Sequence, residues 1–126
     1  MLPKVSGRRQ EIASISGFLA GLGHLHDARI TELRYSPNEN ELTLYLDDLY
    51  SNFIGLPEYP GETPACLAAS GILALNVDLQ NLMEDLPWII QFYVHSLEAG
   101  SLFQGKIICV EGAVSFTCAS FAAWQT

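Results

Sequence analysis

Basic residues are scarce in this sequence of 126 residues. Six Lys and Arg stand against fourteen Asp and Glu, so the formal net charge is -8 at pH 7. Nucleic-acid binding needs clustered Lys and Arg that neutralise phosphates. The composition therefore excludes a DNA- or RNA-binding protein. It suits a basic protein partner, although the same charge also keeps an apolar domain in solution.

Long apolar runs are missing as well. Long uncharged runs such as 63–77 and 112–126 fall short of the roughly 20 residues that a membrane-spanning helix needs. The basic N-terminal residues are not followed by the apolar region of a signal peptide. We therefore expect a cytoplasmic protein that does not associate with a membrane.

Cysteines are few and lack the spacing of a metal or redox motif. The chain has three, Cys66, Cys109 and Cys118, with no C-x-x-C and no Cys/His pattern. A hairpin turn at Glu111-Gly112 would separate Cys109 from Cys118 by about 13 Å, too far for a disulfide. The sequence thus predicts three buried free thiols, no metal and no cofactor.

The sequence contains enough apolar residues to form a hydrophobic core. Hydrophobic residues make up 49% and charged residues 16%, a balance typical of a folded domain. The length predicts one domain over 1–126, with a loose N-terminal arm at 1–6. The mean hydropathy of +0.21 and the uncharged segment 113–124, expected as a strand at a sheet edge, predict a homodimer.

An amphipathic helix is predicted near the N-terminus. Ser6 can cap a helix that begins near Arg8. An apolar stripe at helical spacing follows, formed by Ile12, Ile15, Leu19 and Leu22. The helix would end at Gly21 or Gly23.

The rest of the chain has the pattern of antiparallel strands. A hairpin is predicted from 28–35 and 41–50 around a Pro/Asn turn at 36–40. Further strands are predicted at 65–69, 72–79, 88–97, 102–111 and 113–124, with a helical turn or loop at 79–86 and a turn at 99–101. The short connections exclude a parallel sheet. We expect an α+β fold in which the N-terminal helix packs on a curved, mostly antiparallel sheet of six or seven strands, or alternatively a closed barrel or sandwich.

The densest polar cluster is His24, His26 and Asp27. On a strand the two imidazoles would share a face and could bind a metal, which would need a further ligand such as Asp47, Asp48 or His95. The alternative is a structural corner between helix and strand. We expect the corner, with Asp27 accepting from backbone N–H groups and an imidazole donating to a carbonyl.

A long loop rich in Pro and Gly, 51–64, carries four apolar residues. Such loops are often functional, and this one could be a lid over the core or a contact surface. The preceding Asp47 and Asp48 are adjacent, so they point to opposite faces and do not form a carboxylate pair. The predicted partner surface consists of Asp47, Asp48, Phe53, Glu58, Tyr59 and Glu62.

One segment resembles known proteins. His26-Asp27-Ala28-Arg29-Ile30, followed by a strand, a Pro/Asn turn and a strand that ends in Leu46-Asp47-Asp48, resembles small uncharacterised β-rich families of bacteria. Some of these families are grouped with immunity proteins of polymorphic-toxin systems. The resemblance covers residues 24–50. It implies a bacterial cytoplasmic protein with no catalytic residue, whose acidic surface would mask a toxin.

Catalytic motifs are absent from the sequence, which has no G-x-S-x-G elbow and no Gly-rich phosphate loop. We therefore expect a non-enzymatic interaction protein, immunity-like in the sense above. The alternative is a small-ligand or metal-binding β domain that uses His24 and His26.

The domain is expected to fold without metal, because its core is large enough and no ligand set has convincing spacing. Treatment with a chelator should leave the melting temperature unchanged in a thermal unfolding scan. A fall of several degrees that added metal reverses would contradict this prediction.

Overall fold

The computed structural model of the protein describes residues 2–80, 87–97 and 101–126. These residues form strands and one α-helix, with short 3₁₀ segments at Gly23–Leu25 and Ser51–Phe53. The helix is α1 (Ile15–Gly21), and the strands are β1 (Gln10–Glu11), β2 (Ile30–Ser36), β3 (Glu41–Leu46), β4 (Ala65–Ser70), β5 (Ala74–Leu79), β6 (Ile89–Ser96), β7 (Phe103–Cys109), β8 (Gly112–Cys118) and β9 (Ser120–Gln125).

The strands are arranged in two antiparallel sheets. One has the order β1-β9-β4-β3-β2 and the other the order β5-β8-β7-β6. The prediction of a mostly antiparallel β fold with a helix is confirmed, but the single curved sheet of six or seven strands is wrong. The reason is that two long strand segments bend midway and supply strands to both sheets.

The bend lies at Gly71 and Ala119. The Ala119 N–H donates to Ser70 O at 2.8 Å, and the Leu73 N–H donates to Thr117 O at 2.9 Å, on either side of the bend. Gly71 has φ +70°, and a Cβ there would lie 2.8 Å from the Ala119 Cβ. Glycine therefore allows the β4–β5 segment to turn the corner while it remains paired with β8 and β9.

A second junction joins the sheets where β2 and β6 begin. Arg29 forms an isolated bridge with Trp88, and its guanidinium lies 3.9 Å from the Trp88 ring centroid. The Ile30 N–H donates to Pro87 O at 2.9 Å. The two sheets are thus connected on both sides, and the core fills the space between them.

Aromatic rings occupy the centre of this core. The rings of Phe92 and Phe116 meet edge to face at 6.1 Å, and Phe121 lies 6.0 Å from Phe116. Gly105 pairs with Phe116 in the ladder between β7 and β8. The missing side chain of Gly105 leaves the space that the Phe116 ring fills.

The helix begins later than predicted. Ser14 is its N-cap residue, while Gln10 and Glu11 pair with β9 as strand β1. Arg9 bonds the Glu41 carboxylate and lies over the Trp124 ring at 5.3 Å. The predicted start near Arg8 is wrong because these long-range contacts hold the segment extended.

The predicted loose arm makes defined contacts. Pro3 O accepts a hydrogen bond from the Tyr50 hydroxyl at 2.7 Å, and Ser6 O accepts one from the Gln125 N–H at 2.7 Å. A Cβ on Gly21 would lie 2.8 Å from Pro3. Residues 2–6 are therefore fixed to the body of the protein.

The C-terminal strands are internal. β8 lies between β5 and β7, and β9 lies between β1 and β4. The expectation that 113–124 forms an edge strand is wrong. The first part of the segment is an internal strand of one sheet, and the second part is an internal strand of the other. That argument for a homodimer no longer holds. The last turn is also shifted, since Cys109 pairs with Gly112, which places the turn at Val110 and Glu111 and not at Glu111 and Gly112.

Most other predicted strands occur within a few residues of their predicted bounds. The helical turn or loop at 79–86 and the turn at 99–101 fall largely outside the described residues. Leu79, which is described, ends β5. No helix in the described part of the chain is long and apolar enough to cross a membrane.

Gly105→Ala tests the packing of the ring cluster. A Cβ there would lie 2.4 Å from Phe116 Cζ, so the ring must move, which should cost about 1–2 kcal/mol of unfolding free energy. Gly7→Ala is the matched control, because no atom lies within 4 Å of that Cβ. Urea unfolding measures the stability of both variants. Equal midpoints would show that the Phe116 ring does not need the space beside Gly105.

Candidate functional site

Asp48 fastens the long loop that follows β3. The residue is 4% exposed, and its carboxylate accepts hydrogen bonds from the Tyr50 and Thr63 N–H groups, each at 3.0 Å. The Tyr59 hydroxyl donates to the second carboxylate oxygen at 2.6 Å. Because the donors come from both ends of loop 47–64, one side chain closes the loop at its base.

The same contact changes the acidity of Tyr59. The hydrogen bond to the Asp48 carboxylate, assisted by burial, raises the pKa of Tyr59 to about 12. The hydroxyl therefore keeps its proton and continues to donate well above neutral pH. Tyr59 is thus a structural donor at the pH of a cell.

Asp47 contacts a different element. Its carboxylate accepts from the Arg29 N–H at 2.8 Å, and its own N–H donates to Arg29 O at 3.1 Å. This pair lies beside the irregularity between Ile30 and Glu32 in the β2–β3 ladder. Asp47 and Asp48 therefore bind separate groups and do not form a joint carboxylate site.

The structure divides the predicted partner surface into two groups. The first is used in the packing of the protein itself and comprises Asp47, Asp48, Phe53 and Tyr59. The second is exposed and comprises Glu58 and Glu62. Of the six residues, Asp48 is buried, while Asp47, Phe53 and Tyr59 are partly exposed.

The loop is both a cover and an exposed surface. Phe53 and Tyr59 pack against the core, as expected of a lid. Ile54 is 63% exposed and Leu56 is 50% exposed. The large apolar side chains that this loop presents to solvent are therefore Ile54 and Leu56.

The helix-to-strand corner is a left-handed turn. Gly23, His24 and Leu25 have φ values of 65°, 57° and 59°, which are costly for residues that carry a side chain. The His24 ring Nδ1 lies 3.2 Å from Phe92 O, and the His26 ring Nδ1 lies 2.8 Å from Ile90 O. Both carbonyls belong to β6. Because a carbonyl oxygen only accepts, each imidazole donates from Nδ1 and holds the turn against β6.

Asp27 does not have the predicted contacts. Its side chain is 65% exposed and lies 3.4 Å from the His26 ring. With φ +70°, the residue directs its N–H to Ile89 O at 2.9 Å. The expected capping of backbone N–H groups by the Asp27 carboxylate is therefore wrong, because the corner is fixed by its backbone and by the two imidazoles.

The described residues contain no group of three or more His, Cys, Asp or Glu side chains that could hold a metal ion. The residues that the sequence offers as further metal ligands form hydrogen bonds with other groups. Asp47 and Asp48 have the bonds given above, and His95 lies 3.2 Å from the Gln104 side chain. His24 and His26 thus have no third ligand within this part of the chain.

The three cysteines are buried and free. Burial raises the pKa of the Cys109 and Cys118 thiols to about 11, and it also raises the pKa of Cys66. A thiol that keeps its proton is a poor nucleophile and a poor metal ligand. These residues behave as small apolar side chains in the core.

An apolar opening lies between two strand edges. β2 and β5 end their respective sheets, and a cavity of about 440 Å³ lies between them. We call it the β2–β5 seam. Its walls are mainly apolar and include Leu33, Tyr35, Leu42, Leu75, Val77 and Leu79.

The seam exposes side chains that point toward the core. Val77 pairs with Val114, and Tyr35 pairs with Leu42, so the members of each pair share a sheet face. Val114 and Leu42 are 0% and 3% exposed, whereas Val77 and Tyr35 are 45% and 41% exposed. The inner faces of both edge strands are therefore incompletely covered by the described residues.

Hydrogen bonds bound the seam at two places. Near the start of β5, Asn40 O accepts from the Gly71 N–H at 3.0 Å, and the Asn40 side chain donates to Ile72 O at 2.9 Å. Near the start of β2, the Ile30 N–H donates to Pro87 O. The first contact joins the β2–β3 turn to the segment before β5, and the second joins β2 to the segment before β6.

Acidic residues lie along the seam. Glu32 lines the cavity on the β2 side, and Asp78 is exposed on β5. The cation on the same stretch of β2 is Arg34, which forms an ion pair with Glu32. The charge on this part of the surface is therefore negative overall.

Sequence reasoning missed the seam. The alternation of Leu75, Val77 and Leu79 with Asn76 and Asp78 does indicate a strand with one apolar face. It does not reveal which neighbours the strand has, so an uncovered inner face leaves no local signal.

Comparisons with known proteins identify a protein of similar fold but no function. No family model matches the sequence, and no curated protein matches it. A crystal structure of an uncharacterized protein from Neisseria gonorrhoeae is similar, with a TM-score of 0.55 and 15% sequence identity over 92% of this chain and 96% of that chain. This likeness extends over nearly the whole of both chains and concerns the fold alone.

Asp48→Ala tests the loop fastening. The substitution leaves two N–H groups and one hydroxyl without their acceptor, so we expect it to lower the unfolding free energy by roughly 2–3 kcal/mol. Glu62→Ala removes an exposed carboxylate from the same loop and should have little effect. Urea unfolding would measure both. Equal stability of the two variants would show that Asp48 does not hold the loop.

Proposed function

We propose that this protein is a non-enzymatic interaction protein that binds an apolar segment of a protein partner in the β2–β5 seam. The observation that carries the proposal is the inner face of β5, where Val77 remains 45% exposed opposite the fully buried Val114. An apolar opening bounded by two strand edges is typical of an interaction site.

The charge of the protein favours a basic partner. The net charge is -8, and the seam itself has Glu32 and Asp78 beside it. Such a surface attracts a basic protein over long distances and raises the rate of encounter. Loop 47–64 also exposes two apolar and two acidic side chains, Ile54, Leu56, Glu58 and Glu62.

An immunity-type role is the specific form that we propose. The resemblance of residues 24–50 to families grouped with immunity proteins supports it, and so does the acidic surface. In this role the protein would act by covering the functional surface of a basic toxin in the bacterial cytoplasm. No catalytic step is needed for that action.

A second candidate is a small apolar ligand in the same seam. Its volume of about 440 Å³ lies within the usual range of roughly 300–1,000 Å³ for small-molecule sites. His24 and His26 do not line the seam. This candidate therefore depends on the apolar strand faces and not on the imidazoles proposed from the sequence.

Selection from a displayed library of random peptides, followed by fluorescence anisotropy, tests the proposal. Peptides selected on the wild-type protein should bind Val77→Glu at least about tenfold more weakly, because a carboxylate would then lie in an apolar seam. Val110→Glu is the matched control, since Val110 is 62% exposed in the turn between β7 and β8 and does not line the seam.

Two results would contradict the proposal. One is a set of selected peptides that binds Val77→Glu as tightly as the wild-type protein. The other is failure to select any peptide, combined with binding of an apolar fluorescent dye that Val77→Glu abolishes. The second result would favour the small-ligand role. Melting curves of both variants show whether each remains folded.

A further inference from the structure

We infer that the segment bound in the β2–β5 seam is an extended strand that adds antiparallel to the edge of β5 that faces away from β8, with apolar residues at alternate positions and basic residues between them. This inference rests on the proposed function and specifies the chemistry of the partner. It follows from the direction of the β5 backbone groups, from the direction of its side chains and from the charges beside it.

The hydrogen-bond register between β5 and β8 fixes which β5 residues direct their backbone groups toward β8. The Gln80 N–H donates to Glu111 O at 3.0 Å, one residue beyond the pairing of Leu79 with Gly112. In an antiparallel ladder, alternate residues exchange hydrogen bonds with the neighbouring strand. Asp78, Asn76 and Ala74 therefore direct their backbone groups to β8.

The intervening residues direct their backbone groups the other way. Leu75, Val77 and Leu79 alternate with the set that bonds β8, so their N–H and C=O groups point out from the β5 edge. Within the described part of the chain, β5 pairs with β8 alone. An edge of this kind is a template for a further strand.

The side chains of the same three residues line the cavity. In an added strand, the residue directly opposite Val77 has its side chain on the same sheet face, and that face is the inside of the seam. Residues two positions before and after it would lie opposite Leu75 and Leu79. Three alternate apolar residues therefore fill the cavity while their backbone groups bond β5.

The residues between these apolar positions lie on the outer face. Asp78 is exposed there, and Glu32 lies across the seam on β2, paired with Arg34. Opposite charges on neighbouring strands are favourable, whereas like charges directly opposite are unfavourable. Lys or Arg at the outer positions of the added strand would match this surface.

A strand fits these observations better than a small apolar molecule does. A small molecule could fill the cavity, but it would not pair with the outward N–H and C=O groups of β5, which have no partner strand among the described residues. An extended segment satisfies those groups and the apolar side chains together. Leu75, Val77 and Leu79 direct their backbone groups out from the edge of β5 and their side chains into the cavity. A bound strand can use both sets of groups at once.

Synthetic peptides of seven residues test the inference. The test peptide alternates lysine and valine, and an isomer of the same composition has its valines next to one another. Two further versions of the alternating peptide carry N-methyl groups, either on the valines, whose N–H groups would face β5, or on the lysines, whose N–H groups would face away. Fluorescence anisotropy gives the affinity of each peptide.

We expect the alternating peptide and its lysine-methylated version to bind. The isomer and the valine-methylated version should bind at least about tenfold more weakly, because they lose the alternating pattern or the hydrogen bonds to β5. Hydrogen exchange measured by NMR should show new protection of the Leu75, Val77 and Leu79 amides. Affinity should also fall as salt is added.

Protein variants separate this inference from the proposed function. Val77→Glu, and the milder Val77→Ser if the first is unstable, should weaken binding of the alternating peptide, while Val110→Glu should not. If valine methylation has no effect but Val77→Glu still weakens binding, the seam is the site and strand addition is wrong. If no peptide depends on Val77, both proposals are wrong. Failure of the alternating peptide to bind, while library peptides bind in the seam, overturns strand addition alone.

Discussion

The hydrogen bond from Ala119 to Ser70 marks the point at which two paired strand segments leave one sheet and enter the other. β4 and β9 are internal strands of the first sheet, and their continuations β5 and β8 belong to the second. Because β8 passes between β5 and β7, β5 is left at the edge. β2 lies at the edge of the first sheet, next to its hairpin partner β3. The corner at Gly71 therefore places β5 where it can form one side of the β2–β5 seam.

Features that depend on neighbours in the sequence could be predicted. The β2–β3 hairpin was found because its alternation and its Pro/Asn turn are local signals. The start of the helix was misplaced because Gln10 and Glu11 pair with Ala122 and Ala123, more than a hundred positions away. No local pattern encodes that contact. The bends at Gly71 and Ala119 were likewise missed, since a glycine between two apolar runs also suits an ordinary hairpin turn.

The candidate site was predictable only in part. The expectation that an imidazole at the corner would donate to a carbonyl agrees with the contacts of His24 and His26, although the carbonyls belong to β6 and not to the end of the helix. Asp48 was expected on a partner surface, because an acidic residue at a strand end is usually exposed. Its carboxylate can be buried because the loop folds back and places the Tyr59 hydroxyl and the Thr63 N–H within hydrogen-bond distance of it. The seam depends on strand order, which composition and periodicity do not specify.

The exposed edge of β5 also bears on how the protein behaves at high concentration. A strand edge with Val77 on its open side could pair with the same edge of a second molecule and begin aggregation. Two such edges would bring Glu32 and Asp78 of each copy close to their equivalents, and like charges so placed repel. The acidic excess of the chain thus opposes pairing between the β5 edges of two molecules, and this repulsion weakens as ionic strength rises.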